Sequence, residues 1–329
     1  RFTIATGSSE YSNNIILEII TDEETGIGEA SPSLHVLGET PDHVLSTIDL
    51  FKKHLINKDP FELNEILKKM DEVIVRNESS KAAIDFALYD LYGKITKRPV
   101  VNLIGGNRFS VMTDITIGIE DYDETVSDAI NYVKMGFKAL KVKVGLNPEK
   151  DYERLRGIRD NVGENIQIRV DANQGFTFSQ ARWFLNKIKD LNIEFIEQPL
   201  PEWDLVKISE LRRISSIPIM LDESVKNIRD LKRAVDEGAC DLINIKLMKT
   251  GGIKKALSMA DFALSNGIDF MVGCMSESPV GISAAMHFSL ASGAKYIDLD
   301  CHLLQSKNIV KHGLRTENGI NYIEERPGL

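Results

Sequence analysis

Between residues 114 and 300 the sequence alternates short apolar runs with amphipathic stretches, one pair about every 25 residues. The runs are DITIGI (114–119), ALKVKV (139–144), IQIRVD (166–171), IEFIEQ (193–198), IPIMLDE (217–223), DLINIKL (241–247), DFMVG (269–273) and KYIDLD (295–300). Such short apolar runs predict strands. The intervening SQARWFLNKIKDLN (179–192) and IKKALSMADFALSNG (253–267) place apolar residues at helical spacing, with Gly267 positioned as a C-cap. Strand then helix, eight times, predicts parallel βα units of an α/β protein that close into a (β/α)8 TIM barrel. The rival, an open doubly wound sheet, carries a glycine-rich phosphate loop after its first strand, and none is present here.

The first hundred residues follow another pattern. IILEIITDEETGIGEA (15–30) reads as a hairpin turning at Asp22–Thr25, and helical periodicity follows over 41–56, 61–75 and 79–95. Gly105–Gly106 mark a boundary. Residues 1–108 are expected to form an α+β capping domain and 109–304 the barrel, with the tail 305–329 returning to complete the cap.

Composition adds exclusions. With 329 residues, 43% hydrophobic and 27% charged, the chain supplies a large core under a charged surface. No apolar run reaches the roughly 18–20 residues that cross a bilayer. A net charge of -9 argues against a general binder of nucleic acid or membrane surfaces. Cys240, Cys274 and Cys301 are odd in number, far apart and form no CxxC, so neither a disulfide framework nor a thiolate zinc site is expected, and a reducing cytoplasm is the expected setting. The oligomeric state is not legible; a homo-oligomer is compatible with the sequence.

In a barrel of this kind chemistry gathers at the C-terminal ends of the strands. Those ends carry Lys141 and Lys143 (LKVKVG), Asp171 (RVDANQG), Glu197 (FIEQPL), Asp222 (IMLDES), Lys246 (NIKLMKTGG), and Asp298 with Asp300 (YIDLDC). The charges keep the beat of the strands, so each is expected to project into one shared cavity. A single Asp after a strand is commonly a helix cap or turn residue. Three consecutive strands ending in VDA, IEQP and LDES are harder to read that way, because clustered buried carboxylates repel unless a cation joins them. An oxygen-only donor set selects Mg²⁺, with Mn²⁺ as the alternative and zinc disfavoured.

Lys141 and Lys143 are two apart on one strand and share a face, which turns both into the barrel if Val142 and Val144 face the helices. The plainer reading is that they reach the rim or pair with carboxylates. The functional reading makes Lys143 a base whose pKa Lys141 lowers by like charge, aided by partial desolvation. Lys246 comes from the sixth strand, across the cavity. Two acid/base groups flanking a metal-bound carboxylate could remove an α-proton from one face and return it to the other, through an enediolate. The outcome is racemisation or epimerisation; elimination and cycloisomerisation use the same parts.

GIGEASPS (26–33), LKVKVG, RVDANQG, IEQPL, LDES, NIKLMKTGG and MVGCMSES together resemble the enolase superfamily, in particular its muconate-lactonizing subgroup, over nearly the full chain. The resemblance implies a modified, enolase-like TIM barrel under an α+β cap. It implies Asp171, Glu197 and Asp222 as metal ligands, Lys143 and Lys246 as the acid/base pair, and Lys141 in support. Within the subgroup the likeness is to dipeptide epimerases of the L-Ala-D/L-Glu type, carried by DLD at 298–300. It implies that Asp298 and Asp300 hold the free ammonium of a dipeptide, and that Thr116 and the stretch Cys274, Met275, Ser276 line the substrate site.

The side chain to be inverted is read from the cap. No Lys or Arg lies between Phe2 and Phe51, and the loop TGSSEYSNN (6–14) carries Glu10. A buried substrate carboxylate without a partner is costly, which favours a small or neutral second residue over Glu. The alternatives are o-succinylbenzoate synthesis or N-acylamino acid racemisation, whose substrates have no ammonium, and a catalytically inactive binding protein on the same scaffold, from which a missing lysine or ligand would be expected.

Overall fold

The alternation of IILEII is visible in three dimensions: along β3 (Ile15–Ile20) inward and exposed positions take turns, and the strand pairs antiparallel with β4 (Thr25–Ala30). The turn closes at Thr21–Glu24, one residue earlier than the sequence suggests. Thr21 Oγ1 accepts from the amides of Glu23 and Glu24, which frees Thr25 to pair with Ile20. In this computed structural model, residues 2–306, 310 and 313–329 are described. A short pair, β1 (Phe2–Ile4) and β2 (Gly7–Ser9), precedes the hairpin. Helices α1 (Pro41–Leu55), α2 (Leu63–Val73) and α3 (Glu78–Thr96) cover it, followed by α4 (Val100–Leu103) and β5 (Ser110–Met112). His43 closes a capping box with Thr40 at the start of α1.

Helix α3 is buried from Ser79 to Leu91, because it is shared between two cores. Ile84 and Leu88 pack with Phe51, Ile66, Leu67 and Met70 of the cap, while Ala82, Phe86 and Tyr89 join the barrel core. Its close approach to β4 explains GIG. A Cβ on Gly28 would stand 1.8 Å from the Ala83 carbonyl oxygen, and one on Gly26 2.1 Å from that of Ala87.

The barrel follows as β6 (Ile115–Ile117), α5 (Tyr122–Lys134), β7 (Ala139–Lys143), α6 (Pro148–Val162), β8 (Gln167–Asp171), α7 (Phe178–Ile188), β9 (Ile193–Glu197) and α8 (Leu205–Ile214). It continues with β10 (Ile219–Leu221), α9 (Ile228–Asp236), β11 (Leu242–Lys246), α10 (Leu247–Thr250), α11 (Ile253–Ser265), β12 (Asp269–Gly273), α12 (Pro279–Ser292) and β13 (Tyr296–Asp298). The eight strands β6 to β13 lie in chain order and every adjacent pair is parallel. Between β13 and β6 the contacts that close the ring include Asp114 N donating to Ile297 O (3.2 Å) and Leu299 N to Thr113 Oγ1 (2.9 Å). Phe195, Met220, Leu242 and Met271 fill its floor, so it is a packed core and not a pore.

In the tail, β14 (Leu314–Glu317) and β15 (Ile320–Ile323) pair with each other, and β15 with β5. The final residues reach α3 and α4: Leu329 N donates to Asp90 Oδ1, and Val100 N to Gly328 O. Residues 307–309, 311 and 312 of the predicted 305–329 tail lie outside the described residues.

Two carboxylates and one amide of the cap are among the contacts that fasten it to the barrel. Asp85 of α3 accepts from Ile253 N (2.6 Å) and Lys254 N (3.3 Å), capping α11. Gly252 leaves room for it, since a Cβ there would lie 2.3 Å from Asp85 Cγ. Glu29 of β4 accepts from Ser278 N, Ser278 Oγ and Gly281 N at 2.7 Å each, capping α12. Asn14 Nδ2 donates to Glu29 Oε1 (2.7 Å) and to the Ser276 carbonyl (2.8 Å), tying loop 6–14 to the end of β12.

His287 on α12 is buried and its Nδ1 accepts from Val101 N at 2.9 Å, which requires a neutral ring. Burial pushes its pKa down to about 3. The unfolded chain binds the proton near 6.5, so this contribution to stability is complete above about pH 6.5 and declines as pH falls toward 3, by about 1.4 kcal/mol per pH unit. Urea melts of wild type and His287→Gln at pH 7.5 and 5 check this: the wild type should lose more stability between the two than the variant. An equal loss removes His287 from the account.

Candidate active site

The strand ends converge as the spacing predicts. In register, Lys143 stands opposite Asp171, and Asp171 opposite Glu197. Lys246 stands opposite Gly273, and Gly273 opposite Asp298. Val142 and Val144 are fully buried against the helical layer, while both lysines turn inward. In the strand order β7 and β11 are four steps apart of eight, which sets Lys143 and Lys246 on opposite sides of the barrel.

The lysines and acids form two ion-pair groups, one around Lys141 and Lys143 and one around Asp222. Lys143 Nζ donates to Asp171 Oδ2 at 2.6 Å. Lys141 Nζ lies 2.7 Å from Asp298 Oδ2, 2.8 Å from Glu197 Oε2 and 3.1 Å from Asp171 Oδ2. Lys246 Nζ lies 2.8 Å from Asp222 Oδ2. Asp300 Oδ2 accepts from Thr116 N at 2.6 Å, and Cys274 Sγ is 3.9 Å from Asp300 Oδ1. Thr116, Asp298, Asp300 and Cys274 thus share one wall. Ser276 does not join them by its side chain: it is exposed, and its carbonyl is taken by Asn14.

At Lys141, the candidate supporting group, the surrounding acids decide the charge state. Burial works to lower its pKa, but Asp298, Glu197 and Asp171 outweigh it, and the group is held well above the usual lysine range. Burial is likewise overcome at Lys246 by Asp222, and the pKa rises. Among the acids, burial opposes ionisation of Asp171, yet Lys143 and Lys141 bring it down to about 2. At Glu197 burial and then Asp171 push the pKa up to about 7, and burial with Asp222 pushes Glu223 up to about 8. Asp300 rises to about 6 through burial and Asp298.

A divalent cation fits this donor set. Asp171, Glu197, Asp222, Glu223, Glu277, Asp298 and Asp300 are all buried carboxyls, set against the ammonium groups of Lys141, Lys143, Lys246 and Lys249, an excess of three acids. Glu197 Oε2 is buried and, beyond the approach of Lys141, has no hydrogen-bond partner among the described residues. Asp171, Glu197 and Asp222 do not form a group with ligand atoms all within 4.8 Å of one another. Each is turned to a lysine, so sharing an ion requires those ion pairs to loosen.

The sequence profile of the mandelate racemase / muconate lactonizing enzyme N-terminal domain matches residues 1–105, and that of the enolase C-terminal domain-like family matches residues 124–329. The chain belongs to this family of the enolase superfamily. It is 40% identical to an L-Ala-D/L-Glu epimerase of Clostridium acetobutylicum over 100% of this chain and 93% of that one. The crystal structure of a dipeptide epimerase from Enterococcus faecalis V583, complexed with Mg and L-Leu-L-Tyr, superposes with a TM-score of 0.97 at 38% identity, covering 99% of this chain and 94% of that one. An N-succinyl Arg/Lys racemase from Bacillus cereus superposes with a TM-score of 0.96 at 33% identity, covering 99% and 89%. With curated epimerases as full-length relatives, this family member is an enzyme of the isomerase class.

Several residues of the family member's cluster escape sequence reasoning. Lys249 is fully buried, its Nζ bonded to Asp222 Oδ1 (2.5 Å) and to the carbonyls of Asp222, Val225 and Asn244. Its spacing of three from Lys246 was the available signal, since both fall on the turn that continues β11 into α10. Asn244 donates to Glu197 Oε1 at 2.7 Å, and Gln198 Oε1 accepts from the amides of Asp222 and Ser224. Arg169 pairs with Asp114 and Glu194 at 2.8 Å beneath the charges, over the rings of Phe195 and Tyr296. Asn173, Gln174 and Gln198, just beyond the candidate ligands, hold positive φ of 39°, 68° and 38°, a conformation uncommon for side-chain-bearing residues.

Proposed function

We propose that the enzyme is a dipeptide epimerase that inverts the α-carbon of the C-terminal residue. The observation that carries this reading is the pair Asp298 and Asp300, buried on the wall opposite the candidate metal ligands, with Lys141 and Thr116 fixing their orientation. A dipeptide presents an ammonium at one end and a carboxylate at the other, and this site offers acids to the first.

Asp171, Glu197 and Asp222 would hold Mg²⁺, with Mn²⁺ as a substitute, and Asn244 and Gln198 orient that set. The ion, when bound, supplies positive charge for a substrate carboxylate and so raises the acidity of the adjacent C–H. Lys143 and Lys246 face the α-carbon from opposite sides. One takes the proton as a neutral amine, and the other, as an ammonium, delivers a proton to the opposite face. Lys141, locked among three carboxylates, keeps its charge and acts as a fixed cation in support. Burial of both lysines limits exchange of their protons with bulk water during a turnover.

For the inverted side chain we propose a small or neutral residue over Glu. Asn14, at the end of the cation-free loop 6–14, already spends its amide on Glu29 and Ser276. The loop 33–40 borders a cavity of about 430 Å³ whose lining includes Val36, Leu37, Trp203, Glu223 and Lys249. Here Lys226 is taken by Glu202 at 2.7 Å, while Arg76 and Arg233 also line the cavity, so the preference rests on the cation-free loop 6–14 alone.

A second reading, racemisation of N-acylated amino acids, is supported by the likeness to the Bacillus cereus racemase. The test is a mixed library of dipeptides and N-succinyl amino acids incubated with enzyme and Mg²⁺ in D₂O. Deuterium is expected at the α-carbon of the C-terminal residue of small or apolar dipeptides. Exchange confined to N-succinyl compounds would reject the dipeptide reading. Asp300→Asn is expected to lower kcat/KM for dipeptides by about 10-fold to 100-fold, the worth of one charge-assisted contact of 1.5–3 kcal/mol, and to leave N-acylated compounds unaffected.

A further inference from the structure

Cys274 and Cys301 lie 27 positions apart, and the sequence gives no reason to join them. The fold does: β12 and β13 are neighbours, so residues just past their ends meet. Cys274 Sγ, Cys301 Sγ and a Glu277 carboxylate oxygen all lie within 4.8 Å of one another. All three residues are at least nine-tenths buried: Cys274 and Cys301 are 8% exposed and Glu277 3%. Cys301 Sγ donates to the Glu277 carbonyl at 3.3 Å and is 3.9 Å from Glu277 Oε2, which accepts from Met275 N.

We propose that Cys274, Cys301 and Glu277 form a binding site for a soft divalent cation, Zn²⁺ or Cd²⁺, separate in chemistry from the all-oxygen set on β8 to β10. Thiolate ligands select such ions and reject Mg²⁺. Zn–S bonds of about 2.3 Å in a tetrahedron set the sulfurs about 3.8 Å apart, a separation compatible with ligand atoms that all lie within 4.8 Å of one another. Each thiol gives its proton to solvent as its sulfur takes the ion, and no electrons are transferred. Three protein ligands leave a fourth position, the arrangement of an open site.

The site has a consequence for the reaction. Cys274 Sγ is also within 4.8 Å of ligand oxygens of Asp298 and Asp300. An ion held there places positive charge beside the acids assigned to the substrate ammonium and competes with it. This second statement rests on the proposed role of Asp300; the binding site itself does not.

The experiment is a titration of the Mg²⁺-saturated protein with Cd²⁺, read by the ultraviolet thiolate-to-cadmium charge-transfer band. One Cd²⁺ per chain is expected, with the band intensity of two thiolates. Cys301→Ser should halve the band and weaken binding by at least about tenfold, while Cys240→Ser, at a buried cysteine elsewhere in the barrel, should change nothing. No band in the wild type, the intensity of a single thiolate, or a full band in Cys301→Ser overturns the proposal. If Cys301→Ser fails to fold, the wild-type intensity together with Cys240→Ser decides, because a band lost in Cys240→Ser places the ion elsewhere. Excess dipeptide should weaken Cd²⁺ binding; an unchanged titration would sever the link to the substrate while leaving the thiol site standing.

Discussion

Lys246→Ala is expected to lower epimerisation about 10³-fold, within the 10²–10⁴ range that a positioned general acid or base contributes, and Lys143→Ala to do the same. The two variants should differ in what they retain. Each keeps one amine, on one side of the barrel, so each should still wash deuterium into one stereoisomer of a dipeptide and not into the other. Neither substitution strips its carboxylate of every counter-ion. Asp222 retains Lys249, and Asp171 retains Lys141 at 3.1 Å. The variants should therefore fold, and circular dichroism checks that they do. Proton NMR in D₂O, run separately on L,L and L,D substrates, supplies the stereochemical readout. Normal inversion by both variants would end the two-base scheme.

Glu197→Gln is expected to abolish the response to Mg²⁺. The substitution is nearly isosteric and leaves one oxygen in place to accept from Asn244, whereas the lost charge belongs to the carboxyl whose Oε2 meets the Lys141 ammonium and has no other partner among the described residues. In the wild type an ion at 100 times its dissociation constant should stabilise the fold by about 2.7 kcal/mol, seen as a rise in melting temperature that chelation reverses. In the variant the Mg²⁺ affinity should fall by at least about 100-fold, beyond what loss of an outer-shell contact costs, and the melting temperature should no longer respond. Calorimetric titration measures the affinity without reference to turnover. A variant that binds Mg²⁺ like the wild type would remove Glu197 from the ligand set.

The barrel was legible because its strands are short, apolar and regularly spaced, and because a charge closes nearly every one. Strand geometry then makes Lys141 and Lys143 share a face, a consequence of a period of two that needs no coordinates. What pairs with what was not legible. Lys141 meets Asp298 across 157 positions, and Asp85 meets Ile253 across 168. Those contacts depend on ring closure and on the seat of the cap, which no local pattern encodes. Charge sign was therefore readable at each strand end, while its consequence was not: against burial, the pKa of Lys141 is set by acids from three other strand ends, Asp298, Glu197 and Asp171. Lys249 was missed for a related reason. A lysine on a short helix reads as solvated, and only the backbone carbonyls of Asp222, Val225 and Asn244 explain its burial.

Asp85 and Glu29 each close the amino end of a barrel helix from the other side of the interface. Swinging the cap away as a rigid body would leave those amides bare on α11 and α12, Asp85 without the two amides it accepts from and Glu29 with Asn14 alone. The body of the cap is thereby a stationary roof over the strand ends. On the proposed reading, the segments 6–14 and 33–40 at its rim are where exchange between related enzymes should alter which guests are accepted without disturbing the residues below.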